Sequence, residues 1–148
     1  MVYLTRRYRF SASHRLHNDG LSAEANKRLY GKCDNPFGHG HNYVLEVTVA
    51  GAVDPKTGMV LDLTRMDETV QREVLDRFDL TNLNLDDRHF GAVVPTTENL
   101  CMEIFETLRD KLNEKSGGPS ARLNRVRLEE TASNFFEYFG DVQAGVRL

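Results

Sequence analysis

Arg7-Tyr8-Arg9-Phe10-Ser11-Ala12-Ser13-His14-Arg15-Leu16 carries its apolar side chains on the even positions, Tyr8, Phe10, Ala12 and Leu16. A period of two marks a strand with one buried face. His14 shares that parity and points to the same side. Residues 42–53 read as a second strand, with Tyr43, Leu45, Val47 and Val49 on one face. Asp54-Pro55-Lys56-Thr57-Gly58 is turn chemistry, and Met59-Val60-Leu61 is expected to pair back as a short hairpin.

Beyond this the period changes. Met66, Val70, Val74 and Phe78 recur at helical spacing and predict a helix capped by Asp62 or Thr64. Leu100, Ile104, Leu108 and Leu112, widened by Phe105, predict a second helix after Pro95, with Thr96 or Thr97 as cap. Gly117-Gly118-Pro119 should end it. Residues 122–130 and 133–139 read as a closing strand pair. The order strand, strand, helix, helix, strand, strand predicts an α+β fold, a four-stranded antiparallel sheet with both helices on one face. The last strand carries Phe135, Phe136, Tyr138 and Phe139 on both faces, and such an edge is expected to meet another subunit.

The 148 residues suffice for one domain, 1–148, and not for two ordinary ones. At 40% hydrophobic and 28% charged residues, the balance is that of a soluble globular chain. No apolar run approaches bilayer length, and Met1–Arg6 lacks the apolar core of a signal peptide, so a cytosolic protein is expected. Cys33 and Cys101 are then expected as thiols. A net charge of -3 offers no general attraction for nucleic acid.

The strongest chemical signal is Cys33-Asp-Asn-Pro-Phe-Gly-His39-Gly-His41. Histidines at i and i+2 of a strand share a face, and Gly40 between them is expected to leave the site uncrowded. Parity puts them with Tyr43 and Leu45. If the first two strands pair, His14, His39 and His41 converge. Three neutral imidazoles around zinc leave the fourth tetrahedral position open, the pattern of catalytic sites. Imidazole also suits iron, copper and nickel. A single histidine is more often satisfied by hydrogen bonds than by metal. Three on apolar parities are harder to explain as solvated groups. His17 and His89 lie in turn-like segments and are expected to be exposed.

Cys33 has polar neighbours, and Lys32 or a metal can lower its pKa from the ordinary value of about 8.5. Cys101 reads as core. Glu130 shares the parity of Val126 and Leu128. Either it grips a ligand edge with its two oxygens or the strand ends there and it is exposed. Arg15, Lys27, Arg28 and Lys32 outnumber Asp19 and Glu24 in their segment, which suits an anionic substrate tail or a solvated helix face equally.

Phe10-Ser-Ala-Ser-His14-Arg-Leu, Gly31-Lys-Cys33-Asp-Asn-Pro, Gly38-His39-Gly-His41-Asn-Tyr, Asp54-Pro, Thr57-Gly-Met, Thr96-Thr-Glu98-Asn and Glu130-Thr131 together resemble the 6-pyruvoyltetrahydropterin synthase and 6-carboxytetrahydropterin synthase family, from about residue 8 to 131. The resemblance implies a T-fold, four antiparallel strands and two helices, closing into a barrel on oligomerisation. It implies a hexamer of two stacked trimers with active sites at subunit interfaces. The implied substrate is 7,8-dihydroneopterin triphosphate, which loses triphosphate and rearranges without an external reductant. On the same grounds His14, His39 and His41 are implied zinc ligands, Cys33 the general base, and Glu130 the pterin anchor with Thr97 and Glu98 nearby.

One departure stands out. The family pairs its cysteine with Asp followed by His, and the matching residues here are Asp79-Leu80. Leucine cannot hold or pass a proton. The five residues between Cys33 and His39 resemble the pyruvoyl type rather than the carboxy type. Side-chain-cleaving relatives tend to carry Glu near the cysteine position. A zinc- and pterin-binding homologue with little turnover is a further alternative, resting on Leu80.

Overall fold

The computed structural model describes residues 1–113 and 121–141. Strands β1 (Val2–His14) and β2 (His39–Gly51) form one long antiparallel ladder, from Val2 opposite Gly51 to His14 opposite His39. The residues expected on the inner face, Phe10, Ala12, Tyr43, Leu45, Val47 and Val49, are all buried, but β2 does not alternate strictly, since Val44 and Thr48 on its other face are buried as well. β2 starts three residues before the predicted 42, because His39-Gly40-His41 pairs with residues 12–14 of β1.

The two long helices supply the other side of the core. Helix α1 (Ala23–Tyr30) and a 3₁₀ turn (Gly31–Asp34) lie between β1 and β2. Helix α2 (Leu63–Val70) is capped by Asp62, whose Oδ1 accepts the Thr64 N–H at 2.9 Å. It runs through a π-helical turn (Gln71–Leu75) into α3 (Asp76–Phe78). Met66, Val70, Val74 and Phe78 are fully buried, as their spacing predicted. After β3 (Thr81–Asn82) and α4 (Leu83–Asp86), helix α5 (Thr97–Asn113) buries Leu100, Ile104, Phe105, Leu108 and Leu112. Cys101 joins them, and both cysteines are free thiols. The Thr96 hydroxyl accepts the Asn99 N–H at 3.3 Å. The expected stop at Gly117-Gly118-Pro119 lies outside the described residues.

β4 (Arg122–Thr131) pairs antiparallel with β2, and β5 (Asn134–Tyr138) with β4. Phe136 and Tyr138 pack on the core, while Phe135 and Phe139 are exposed on the edge.

Three expectations need correction. Among the described residues the sheet has five strands in the order β3-β1-β2-β4-β5 and is mixed, because β3 runs parallel to β1. A two-residue strand has no period for a sequence to display. Leu80 N–H donates to the Ser11 carbonyl at 2.6 Å, and Asp79 Oδ1 accepts the Ser11 N–H at 2.9 Å, which ties β3 to the edge of β1. Within one chain the sheet is open, with β3 and β5 at its edges. Residues 59–61 form no strand. Their loop is closed by the Asp54 N–H to the Met59 carbonyl at 2.9 Å, and Val60 tucks inward.

Helix α1 escaped the pattern for a physical reason. Its buried residue is polar: Asn26 accepts the Asn18 N–H at 2.8 Å and donates to the Asn18 carbonyl at 2.9 Å. A helix anchored by one amide shows no apolar stripe. Among the described residues, no helix is long and apolar enough to cross a membrane.

Candidate functional site

His14 and His39 are direct partners in the β1–β2 ladder, and Ala12 opposite His41 sets the third ring one step along the same face. The rings meet edge to face, with centroids 4.7 Å apart for His14 and His39, 5.1 Å for His14 and His41, and 4.7 Å for His39 and His41. One nitrogen from each lies within 4.8 Å of the others, so the group can hold a metal ion.

Hydrogen bonding agrees with that use. His14 Nδ1 is 2.7 Å from the Pro95 carbonyl, which only accepts, so Nδ1 carries the proton and Nε2 its lone pair. Burial pushes the His14 pKa down to about 4, so the ring is neutral at pH 7. His14 Nε2 is 3.1 Å from His39 Nε2. His41 Nε2 is buried without a hydrogen-bond partner among the described residues, and burial also lowers the His41 pKa. A buried orphan nitrogen beside a converging pair is the donor set that a cation satisfies.

Glu130 completes the group. β4 continues through it, and its side chain turns toward the histidines, with Oε1 3.5 Å from His41 Nε2 and 3.9 Å from His14 Nε2. That removes the alternative in which the strand ends at an exposed Glu130. The Thr97 hydroxyl donates to Oε1 at 2.5 Å and the Asn134 amide to Oε2 at 2.9 Å. Burial works to raise the Glu130 pKa. The two hydrogen bonds and the neighbouring histidines outweigh it and hold the carboxyl below its usual range. Glu130 is therefore an ionised acceptor with lone pairs to spare. Thr97 is buried at the start of α5, and Glu98 beside it is exposed.

The remaining expected site residues stand apart from this cluster. Cys33 sits half-buried in the 3₁₀ turn, and its thiol has no hydrogen-bond partner among the described residues. Asp79 is engaged with Ser11 at the β1–β3 edge, and no hydrogen bond joins it to Cys33. Leu80 is 85% exposed and holds a left-handed φ of 57°. His89 is exposed, as expected, 3.5 Å from Glu103. His17 is not: it is partly buried, with Nδ1 2.5 Å from Asp34 Oδ1.

The glycine that the site needs is also not the expected one. A Cβ on Gly40 would make only ordinary contact, 3.5 Å from the Ala12 carbonyl oxygen. Gly38 has φ +70°, and a Cβ there would lie 2.8 Å from the His14 carbonyl oxygen. The chain thus enters β2 against the backbone of a metal-group histidine. Gly-His at the mouth of a strand was the available signal.

Fold and site together define an α+β protein that gathers three histidines, placed so that they can hold a metal ion, at the end of its central strand pair. The chain belongs to the 6-pyruvoyl tetrahydropterin synthase family, whose model matches residues 3–141. It is 44% identical to the 6-pyruvoyl tetrahydrobiopterin synthase of Poecilia reticulata over 139 residues, covering 94% of this chain and 90% of that one. The Homo sapiens protein of the same name is 42% identical over 138 residues, 93% of this chain and 91% of the other. Among solved structures, the Caenorhabditis elegans 6-pyruvoyl tetrahydropterin synthase superposes with a TM-score of 0.87 at 42% identity, covering 95% of this chain and 96% of that one.

Proposed function

We propose that this protein is a zinc-dependent lyase that converts 7,8-dihydroneopterin triphosphate to 6-pyruvoyltetrahydropterin with loss of triphosphate. The observation that carries the reading is the joining of the three-histidine group to an ionised, hydrogen-bonded Glu130 in a chain of this family.

His14, His39 and His41 would hold the zinc ion. Bound there, the ion supplies Lewis-acid polarisation of substrate oxygens, which acidifies the adjoining C–H bonds. Glu130 accepts N–H groups from the edge of the pterin ring, a match of a planar carboxylate to paired donors. Thr97 and Asn134 orient that carboxylate, and Glu98 in the next position of α5 lines the same edge. Cys33 removes a proton from a side-chain carbon and returns it at the neighbouring one, the work of a general base.

Assembly belongs to the same reading. Copies of the chain join into a hexamer of two stacked trimers, each trimer closing its sheets into a barrel. The open edges and the exposed Phe135 and Phe139 support this. Asp79 then acts on the Cys33 of a neighbouring copy. The protein works as a single domain over residues 1–148 in the cytosol, on a small molecule, without nucleic acid or membrane.

Mass spectrometry of products from zinc-loaded protein and dihydroneopterin triphosphate tests the reaction. The mass of 6-pyruvoyltetrahydropterin is expected. A 6-carboxytetrahydropterin product would replace this reading by the other branch of the family, and unchanged substrate would leave a binding protein. Light scattering tests the assembly, and a monomer would remove Asp79 from the site.

A further inference from the structure

The histidine group and Glu130 are both held from one short stretch, the turn that leads into α5. His14 is buried, and its Nδ1–H ends on the Pro95 carbonyl at 2.7 Å. Two residues on, the Thr97 hydroxyl donates to Glu130 Oε1. Pro95 is itself buried and has no N–H to anchor it. The Thr96 N–H instead donates to the Val94 carbonyl at 2.8 Å, which closes a three-residue turn centred on Pro95. In such a turn the central carbonyl takes no part, so that of Pro95 is free for His14.

One side chain ties this turn to the helix that follows it. Asn99 Nδ2 donates to the same Val94 carbonyl at 2.9 Å. The Asn99 backbone N–H donates to Thr96 Oγ1 at 3.3 Å. Residue 99 therefore grips both ends of the turn, one with its side chain and one with its backbone. In a capping box the residue at this place is Glu or Gln, and it accepts the N–H of the cap residue. Here that N–H is already given to Val94, and the group left to hold is a carbonyl. Only a donor can hold it, so an amide suits this place and a carboxylate does not.

We propose that Asn99 is a positioning residue of the metal group, an inference that rests on the three histidines being the zinc site. It acts through Val94 and Pro95 rather than on the ring itself. Its amide fixes the turn, the turn fixes the Pro95 carbonyl, and the carbonyl holds His14 with Nδ1 protonated and Nε2 bare. Without the amide, the turn keeps a single hydrogen bond across Pro95. The carbonyl then drifts from a buried ring whose Nδ1 has no other partner among the described residues.

The test is NMR of the full-length protein, isotope-labelled at histidine, zinc-loaded and after zinc removal, together with zinc affinity by chelator competition. The His14 Nδ1–H signal is assigned by its absence from His14→Ala. Asn99→Asp keeps the size of the side chain and puts a carboxylate at the positive end of α5, where it suits the helix, so the fold should hold. It cannot donate to Val94. Exchange of the His14 Nδ1 proton with water should become about tenfold faster, and zinc should bind about tenfold more weakly. Asn99→Gln, whose longer amide still reaches back over the first turn, should stay near wild type in both. Unmoved exchange, or zinc held as tightly as in wild type, in a folded Asn99→Asp overturns the proposal. So does an equal loss in Asn99→Gln, which would mean that shape and not the hydrogen bond matters. Should Asn99→Asp not fold, Asn99→Ala is read in its place with the same outcomes. Neither readout needs turnover. Wild-type protein that binds no zinc would sink the metal reading, and proton exchange at His14 would still decide the role of Asn99.

Discussion

His14 and His39 are opposed residues of one antiparallel ladder, and their Nε2 atoms stand 3.1 Å apart. Two neutral nitrogens so placed repel unless a proton or a cation lies between them. With His14 Nδ1 committed to Pro95, the cation reading has direct consequences.

Protein purified without added metal should contain one zinc per chain by elemental analysis. The triple change His14→Ala, His39→Ala, His41→Ala should remove it. Full zinc in the triple variant would show that the ion binds elsewhere.

Metal-free protein should lose stability in mild acid. Burial lowers the His14 pKa from 6.5 to about 4, so the unfolded chain binds the proton more readily between those values. Stability is then complete above about 6.5 and falls as pH drops toward about 4, by on the order of 3 kcal/mol. Urea midpoints across this range check it, and a flat profile would mean that His14 is solvated in the metal-free state.

Gly38→Ala should damage both fold and metal group. The left-handed backbone costs an L-residue about 1–2 kcal/mol, and the Cβ would also meet the His14 carbonyl oxygen at 2.8 Å. Lower urea midpoint and weaker zinc retention are expected together. Gly40→Ala, where contact is ordinary, is the control.

Cys33→Ala should keep zinc and pterin binding and lose roughly two to four orders of magnitude in turnover. Calorimetric binding of a pterin alongside steady-state rates separates the two. Retention of most activity would mean that another group moves the proton.

Leu80→Gly should stabilise the fold. Leu80 is exposed and holds φ 57°, a strain of about 1–2 kcal/mol, against about 0.5–1 kcal/mol for the added freedom of glycine when unfolded. A net gain of about 0.5–1 kcal/mol in urea unfolding is expected. Loss of stability would show that the Leu80 side chain is itself held by a neighbour.

The residue pattern by itself determined the main strands and helices and the three histidines. Alternation in residues 7–16 and 42–53 placed His14, His39 and His41 on one face, because a strand turns side chains over every residue whatever surrounds it. Four-residue spacing placed Met66 through Phe78 and Leu100 through Leu112 on buried stripes in the same way. The tertiary structure decided what has no period. Asn26 anchors α1 by hydrogen bonds, and Thr81–Asn82 joins the sheet through two residues. The orientation of Glu130 toward the histidines needed Thr97 and Asn134, 33 and 4 residues away. His17 meets Asp34, 17 residues on, only because the chain folds back after β1. Side-chain parity is a local property of the backbone, whereas a hydrogen bond between distant residues exists only once packing has fixed both ends.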